Sequence, residues 1–260
     1  MVTVAQIAAE AEGTTDSERL DVLGRHKSKL VRMAVAENPA TSDGTMRVLL
    51  QDATSVRLWA AGNLADRPAL HSLALSSEDR WVRAILAHTF ARRDDRTLPY
   101  GVQRALASDE FFETRGRIAE TTNYADLFES LLRDENPRVR GRCAANPRIT
   151  LDQMERIVTD RSKDVRGSAA ALGLQYPDDD QLVRLAQDRS AGVRWAVLFR
   201  PDRPRRAVEL IAQDSDEINR QHAEHALVDN RHIMADQVVD HARNERKRVL
   251  HVQSFEQAPR

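Results

Sequence analysis

Apolar residues return along this chain with a spacing that is typical of helices. A valine followed by an arginine recurs, an apolar residue lies four positions after each valine, and the next position is mostly alanine. Positions i, i+4 and i+5 lie close together on a helix, so the pattern predicts a buried stripe anchored by the valine. The alanines predict the close approach of a neighbouring helix.

The Val-Arg pair also marks a tandem repeat. Its arginines follow one another at spacings of 25, 26, 32, 25, 26, 28 and 26 residues, with Thr114 and Asn219 replacing the valine in two copies. A fixed period of this length is the signature of repeat architectures. We call these arginines the Arg ladder: Arg32, Arg57, Arg83, Arg115, Arg140, Arg166, Arg194 and Arg220.

The remainder of each repeat predicts a second, shorter helix. Met154, Ile157 and Val158 form one such apolar segment, preceded by the helix-ending pair Asn146-Pro147 and followed by an acidic residue. Sustained period-two alternation with hairpin turns is lacking. We therefore predict an all-α fold, a right-handed superhelical α-solenoid of about eight 25–26-residue two-helix repeats.

We predict a single repeat domain over residues 1–260. Within it, residues 1–25 form an N-terminal cap and partial repeat, residues 26–240 the tandem repeats, and residues 241–260 a C-terminal cap or tail.

Charge is balanced over the whole chain but not within it. The 39 basic and 40 acidic residues leave a net charge of -1, unlike a strongly basic nucleic-acid-binding protein. Residues 131–206 nevertheless hold 16 Arg or Lys against 11 Asp or Glu, a local excess of +5.

A single cysteine, Cys143, excludes a disulfide framework and a cysteine-based zinc or iron–sulfur site. Neither a signal peptide nor a membrane-spanning apolar stretch is recognisable, so we expect a cytoplasmic location and no membrane partner.

The repeats resemble a known family. VRMAVAENPATSDGTMRVLLQD (31–52) and VRGRCAANPRITLDQMERIVTD (139–160) resemble the leucine-rich repeat variant, a small bacterial family, and the resemblance covers roughly residues 16–240. It implies a solenoid of alternating α and short 3₁₀ or α helices. The segment VRGSAAALG (165–173) is also similar to HEAT-like repeats. One form of the variant family carries an N-terminal cysteine cluster for an iron–sulfur centre. No cysteine precedes Cys143 here, so we expect no cofactor.

The Arg ladder has two interpretations. A row of guanidinium groups on one face can bind phosphates or acidic peptides. Alternatively, each arginine bridges an acidic turn residue and the free carbonyls of a repeat junction. An aspartate six residues before the arginine, as in Asp134 before Arg140 and Asp160 before Arg166, favours this structural interpretation.

A candidate binding surface combines three features. The tryptophans lie off the valine column, the long step between Arg83 and Arg115 predicts an inserted loop at 92–100, and a basic, proline-rich turn follows Arg200. Each has a structural alternative: packing between repeats, a tolerated surface loop, or a solvated turn. The candidate residues are Trp59, Trp81, Trp195, Arg92, Arg93, Arg96, Tyr100, Arg203, Arg205 and Arg206.

Catalytic and metal-ligating patterns are missing. His222 and His225 are three residues apart on a predicted helix, but the sequence places no third metal ligand beside them. Cys143 occupies the apolar column and is expected to be buried. No glycine-rich phosphate loop, nucleophile elbow or HExxH motif occurs. We therefore predict no catalytic, metal or cofactor-binding residue.

Two functional hypotheses follow. The first is a non-enzymatic scaffold that binds a protein partner along its concave face or the 92–100 loop. The alternative is a nucleic-acid-binding HEAT-like protein related to DNA repair. It would resemble the HEAT-like DNA glycosylases, which use a basic concave face with tryptophan, aspartate and arginine. The excess of basic residues in 131–206 and the three tryptophans support it, whereas the overall charge does not.

Overall fold

The computed structural model describes residues 2–89, 98–173 and 176–228. These residues form seventeen α-helices and two 3₁₀ turns, and they contain no β-strand. The predicted all-α fold class is confirmed. Contacts between Cα atoms divide the chain into two compact units, residues 1–118 (unit 1) and 119–260 (unit 2). The predicted tail 241–260 lies outside the described residues, and the single-domain prediction stays a prediction.

Unit 1 alternates long and short helices. Within it, α3 packs against both α1 and α5, α5 packs against α7, and α6 packs against α8. The elements are α1 (Val4–Gly13), α2 (Ser17–Leu23), α3 (Lys29–Glu37), α4 (Asp43–Leu49), α5 (Thr54–Gly62), a 3₁₀ turn (Pro68–Leu70), α6 (His71–Leu75), α7 (Arg80–Thr89) and α8 (Tyr100–Ala107). The odd-numbered helices, here called the long helices, therefore form one layer.

The division between the units falls within α9 (Phe112–Thr121), and unit 2 repeats the same arrangement. Its helices are α10 (Ala125–Leu131), α11 (Pro137–Arg142) with a 3₁₀ turn (Cys143–Ala145), α12 (Leu151–Val158), α13 (Lys163–Leu172), α14 (Asp179–Leu185), α15 (Ala191–Leu198), α16 (Arg205–Ile211) and α17 (Glu217–Val228). The long helices α11, α13, α15 and α17 pack in series, and so do the short helices α12, α14 and α16.

The valine column forms the core of both units. Val31, Val56, Val82, Val139 and Val165 have no solvent-accessible surface. The residues four and five positions later are buried as well, except for Glu224 in the last repeat, which is exposed. That exposure agrees with the position of α17 as the last helix among the described residues, since no following helix covers it there.

Residues at the ends of the long helices connect one repeat to the next. Asn38 Nδ2 donates to the carbonyls of Ala11 and Thr14 at 2.7 and 2.8 Å, where α1 ends. Asn146 Nδ2 donates to Ala119 and Thr122 at the end of α9, at 2.9 and 3.0 Å. The last carbonyls of a helix have no partner within it, so these amides satisfy groups that would otherwise be unpaired.

Candidate interaction surface

The Arg ladder lies in the junctions between repeats. Arg166 donates from Nε and Nη2 to both carboxylate oxygens of Asp188, at 2.5 and 2.9 Å, and from Nη1 to the carbonyl of Asp160 at 2.8 Å. Arg140 has the corresponding bonds to Asp160 and Asp134. Both guanidinium groups therefore donate to the carbonyl of the aspartate six residues upstream and to the carboxylate of the aspartate in the next repeat. For Arg32 and Arg83 in unit 1, the carbonyl six residues upstream belongs to His26 and Ser77 instead.

The pattern recurs in both units. Ion pairs with the aspartate of the following repeat are formed by Arg32, Arg57, Arg83, Arg140, Arg166 and Arg194. Arg115 and Arg220 donate to the carbonyls of Asp109 and Asp214, at 2.8 and 2.9 Å. The aspartates also receive backbone N–H groups at the next helix start, as Asp188 does from Ser190 at 2.8 Å.

These contacts hold the carboxylates in their charged form. The hydrogen bond from Arg194 holds the pKa of Asp214 well below its usual range, and Arg32 lowers the pKa of Asp52 in the same way. Burial would raise the pKa of Asp160, but the bonds from Arg140 and Ser162 outweigh it. An arginine engaged in this way has few donors left, and its charge is already balanced by a carboxylate, so it offers a phosphate little. The structural role of the ladder stays a prediction until variants are measured.

One face of the long helices lies largely outside the core, with the buried Ala34 of α3 as an exception. Counted from the valine, this face contains the positions -1, +3 and +6, which recur on one side of a helix. In unit 1 it presents Leu30 on α3, Trp59 on α5 and Trp81 on α7, which are 50, 44 and 47% exposed. Together with the half-buried Ile85 on α7, we call these residues the apolar band.

Trp81 belongs to an aromatic cluster. Its ring meets the Phe111 ring edge to face, with centroids 5.0 Å apart and planes at 80°. The guanidinium carbon of Arg80 lies 4.7 Å from the centroid of the Phe111 ring. Such edge-to-face and cation–π contacts are favourable, so they restrict the orientation of Trp81 although nearly half of it is in solvent.

Trp195 in unit 2 is less exposed than the other two tryptophans. It lies at position +2, the position of Gly141 and Gly167, which faces the next long helix. Its ring contacts those of Phe199 and His222, with centroids 4.6 and 4.8 Å away. This packing explains why Trp195 is partly buried. The neighbouring Phe199 is 63% exposed, so the solvent-facing apolar surface there belongs to a residue that the sequence analysis did not select.

The remaining candidate residues lie at separate places in the sequence, and some lie outside the described residues. Tyr100 begins α8 and is exposed, whereas Arg92, Arg93 and Arg96 lie outside the described residues. In unit 2, Arg205 forms an ion pair with Glu209 at 2.8 Å, and Arg203 donates to the carbonyl of Arg200 at 2.5 Å. Arg206 is exposed on the first turn of α16.

Sequence reasoning missed part of the exposed apolar surface. Leu30, Phe199 and Ile218 are at least half exposed, and all three occupy the positions -1 or +6. Counting those positions in every repeat would have identified them from the sequence. The contact of Arg80 with Phe111 left no comparable signal, because Phe111 lies just before α9, a whole repeat away from Arg80 in the sequence.

The short helices of unit 2 present a different surface, because ion pairs join their charges across repeats. Glu129 on α10 bonds to Arg156 on α12 at 2.7 Å, and Glu155 on α12 pairs with Arg184 on α14. Exposed pairs of this kind contribute little to stability, but they leave this face nearly neutral and hydrated.

The described part of the chain gives little support for metal binding, for a reactive cysteine or for a membrane-spanning helix. No cluster of three or more His, Cys, Asp or Glu side chains there is arranged to hold a metal ion. Burial raises the pKa of the Cys143 thiol far above neutrality, which makes it a poor nucleophile. No helix in residues 2–89, 98–173 or 176–228 is long and apolar enough to cross a membrane.

Two layers of helices stacked repeat upon repeat within each unit define a helical-repeat protein. A solved structure described as a leucine-rich repeat variant with a novel repetitive protein structural motif is similar to this chain, with a TM-score of 0.56 and 20% sequence identity over 86% of each chain. No protein-family model and no curated protein matches. The predicted solenoid fold and the resemblance to the leucine-rich repeat variant are confirmed at the level of the fold.

Proposed function

We propose that this chain is a non-enzymatic repeat scaffold that binds a protein partner on the exposed face of the long helices in unit 1. The observation that carries the proposal is the apolar band, in which three large side chains on three successive long helices, α3, α5 and α7, are each about half exposed. Tryptophan is enriched at the residues that dominate binding energy in protein interfaces. Exposed apolar patches on soluble proteins often mark interaction sites.

The nucleic-acid alternative has weaker support. Of the 16 basic residues in 131–206, at least nine form ion pairs with carboxylates. Paired arginines neutralise few phosphates, and phosphate contacts supply most of non-specific nucleic-acid affinity. The local excess of +5 is therefore a poor guide to the charge available for binding. The predicted 92–100 loop, whose residues 92–97 lie outside the described residues, stays a second proposed contact surface for a protein partner.

The experiment selects random peptides of about a dozen residues, displayed on phage, against the immobilised full chain. The affinity of enriched peptides is then measured by fluorescence anisotropy with the wild type and with Trp59→Ala/Trp81→Ala. A matched control, Val22→Ala/Val48→Ala, removes exposed side chains from the short helices α2 and α4. We expect the tryptophan variant to bind more than about tenfold more weakly and the control to bind normally, since truncating a hot-spot residue costs about 2 kcal/mol or more.

Circular dichroism confirms that both variants remain folded. Equal affinity of the tryptophan variant and the wild type would refute this location for the binding surface. A short labelled DNA duplex is titrated in parallel at low and physiological salt. Tight binding that weakens steeply with salt would favour the nucleic-acid alternative instead.

A further inference from the structure

One edge of the apolar band is basic. Lys27 and Lys29 lie at the start of α3, beside Leu30, and Arg80 begins α7, beside Trp81. All three side chains are exposed. Within the described residues, none of the three forms an ion pair. We call Lys27, Lys29 and Arg80 the basic edge.

The Arg ladder explains why these charges are not neutralised. The aspartates nearest the starts of the long helices of unit 1 are Asp52, Asp79 and Asp109, and each pairs with a ladder arginine, at 2.6, 3.3 and 2.5 Å respectively. Glu78 is the exposed carboxylate that lies next to this edge in sequence. Glu110, which is 85% exposed, directly precedes Phe111 and shares Arg83 with Asp109. The three cations therefore face two exposed carboxylates, and the edge keeps a small positive excess.

The opposite end of the same face is different. Glu37 ends α3 and is exposed, and Gly62 ends α5 without a side chain. The face therefore has a direction: the cations lie at the starts of α3 and α7 next to Leu30 and Trp81, Trp59 and Ile85 follow in the middle, and an anionic residue ends α3. A partner of one polarity fits this arrangement better than its reverse.

We infer that the partner presents a peptide segment with bulky apolar side chains and carboxylates along one side. The apolar side chains contact the band, and the carboxylates meet Lys27, Lys29 and Arg80. This inference rests on the proposed function and adds the chemistry of the ligand. Arg80 already stacks on Phe111, which restricts its side chain, so less side-chain entropy is lost when it meets a carboxylate.

The same peptide selection tests the inference through the composition of the enriched peptides. We expect aromatic or aliphatic residues accompanied by Asp or Glu. The variant Lys27→Glu/Lys29→Glu/Arg80→Glu should reduce the association rate constant by about tenfold at low salt, because rim charges act mainly on encounter. Salt should slow association of the wild type, and it should speed association of the charge-reversed variant because it screens the repulsion from the acidic peptide. The double variant Lys27→Glu/Lys29→Glu, which keeps the contact of Arg80 with Phe111, should show a smaller change in the same direction.

Lys163→Glu is the matched control, since Lys163 is exposed and holds in α13 the position that Lys29 holds in α3. Its association rate should equal that of the wild type. Peptides that need the tryptophans but show no acidic preference, with rates unchanged by charge reversal, would overturn this inference and leave the proposed function standing. If no peptide is enriched, or if affinity does not depend on the tryptophans, both proposals fail.

Discussion

Arg140→Ala should destabilise the protein strongly. The guanidinium is 9% exposed and forms two bonds to the Asp160 carboxylate, at 2.8 and 3.0 Å, and two to the carbonyls of Asp134 and Glu135, at 2.7 and 3.1 Å. Truncation leaves Asp160, itself only 13% exposed, without its cation. Removing one partner of a buried pair costs about 3–5 kcal/mol, because the other charge remains desolvated.

Urea unfolding followed by circular dichroism measures this loss as a fall in the transition midpoint, and a thermal scan should show a decrease in Tm of roughly 10 °C. Because repeats contact only their neighbours, the transition can also broaden as coupling across the junction weakens. Lys163→Ala is the control, since Lys163 is exposed and forms no ion pair among the described residues, and we expect a change within about 0.5 kcal/mol.

A double-mutant cycle with Asp160→Ala isolates the pair. The double variant should lose less stability than the sum of the single variants, because the second truncation removes a group that the first left unpaired. A cost below about 1 kcal/mol for Arg140→Ala, with no coupling to Asp160, would refute the structural interpretation of the ladder. Affinity for peptides selected on the apolar band should be unchanged in Arg140→Ala.

Three further predictions concern stability. Thr114 takes the place of the core valine, and its buried Oγ1 has no hydrogen-bond partner among the described residues. Thr114→Val should therefore raise the free energy of unfolding by about 1–2 kcal/mol, measured in urea. A lower unfolding midpoint would contradict this. Gly141→Ala should destabilise the protein, since a Cβ there would lie 2.6 Å from Ser168 Oγ and 3.1 Å from Ser168 Cβ. A Cβ at Gly167 would meet nothing nearer than 3.8 Å, so Gly167→Ala should stabilise the protein by about 1 kcal/mol through helix propensity. Equal effects of the two substitutions in urea unfolding would refute the packing argument. The pKa of Asp214 is lower in the folded state than in the unfolded state, so its ion pair stabilises the fold fully above the unfolded pKa of about 3.9. This stabilisation is lost as the pH falls below that value. The free energy of unfolding should therefore decline less steeply in acid for Asp214→Asn than for the wild type.

The core was predictable from the sequence because it depends on local periodicity. Val31 and Val165 fall in one column of a helical pattern, and a helix buries whichever stripe is apolar. Of the partners of the Arg ladder, the sequence predicts the backbone carbonyls but not which carboxylate each arginine contacts. The carbonyl of Asp160 lies at a fixed separation of six residues from Arg166, but the Asp188 carboxylate lies in the next repeat, at a distance in sequence that depends on the intervening turn.

The bonds from the asparagine side-chain amides to the preceding repeat could not be predicted from the sequence either. Asn146-Pro147 predicts where a helix ends, but nothing in the dipeptide indicates that Asn146 reaches the carbonyls of the preceding repeat. Exposure of Trp59 and Trp81 follows from their distance from the valine column. The half-buried state of Trp195 does not, since it depends on Phe199 and on His222 from the next helix.

The Arg ladder determines where this chain can be truncated or recombined without breaking an ion pair. A fragment that stops between Arg166 and Asp188 keeps an arginine whose carboxylate has been discarded, and the discarded piece keeps an aspartate without its cation. A segment that can be exchanged without breaking these ion pairs therefore does not coincide with one sequence repeat, because it must extend from the arginine to the aspartate of the next repeat. Truncations and chimaeras should end after the aspartate and its helix-start turn, at Ser190 for this junction, where Asp188 has received both its arginine and its backbone N–H.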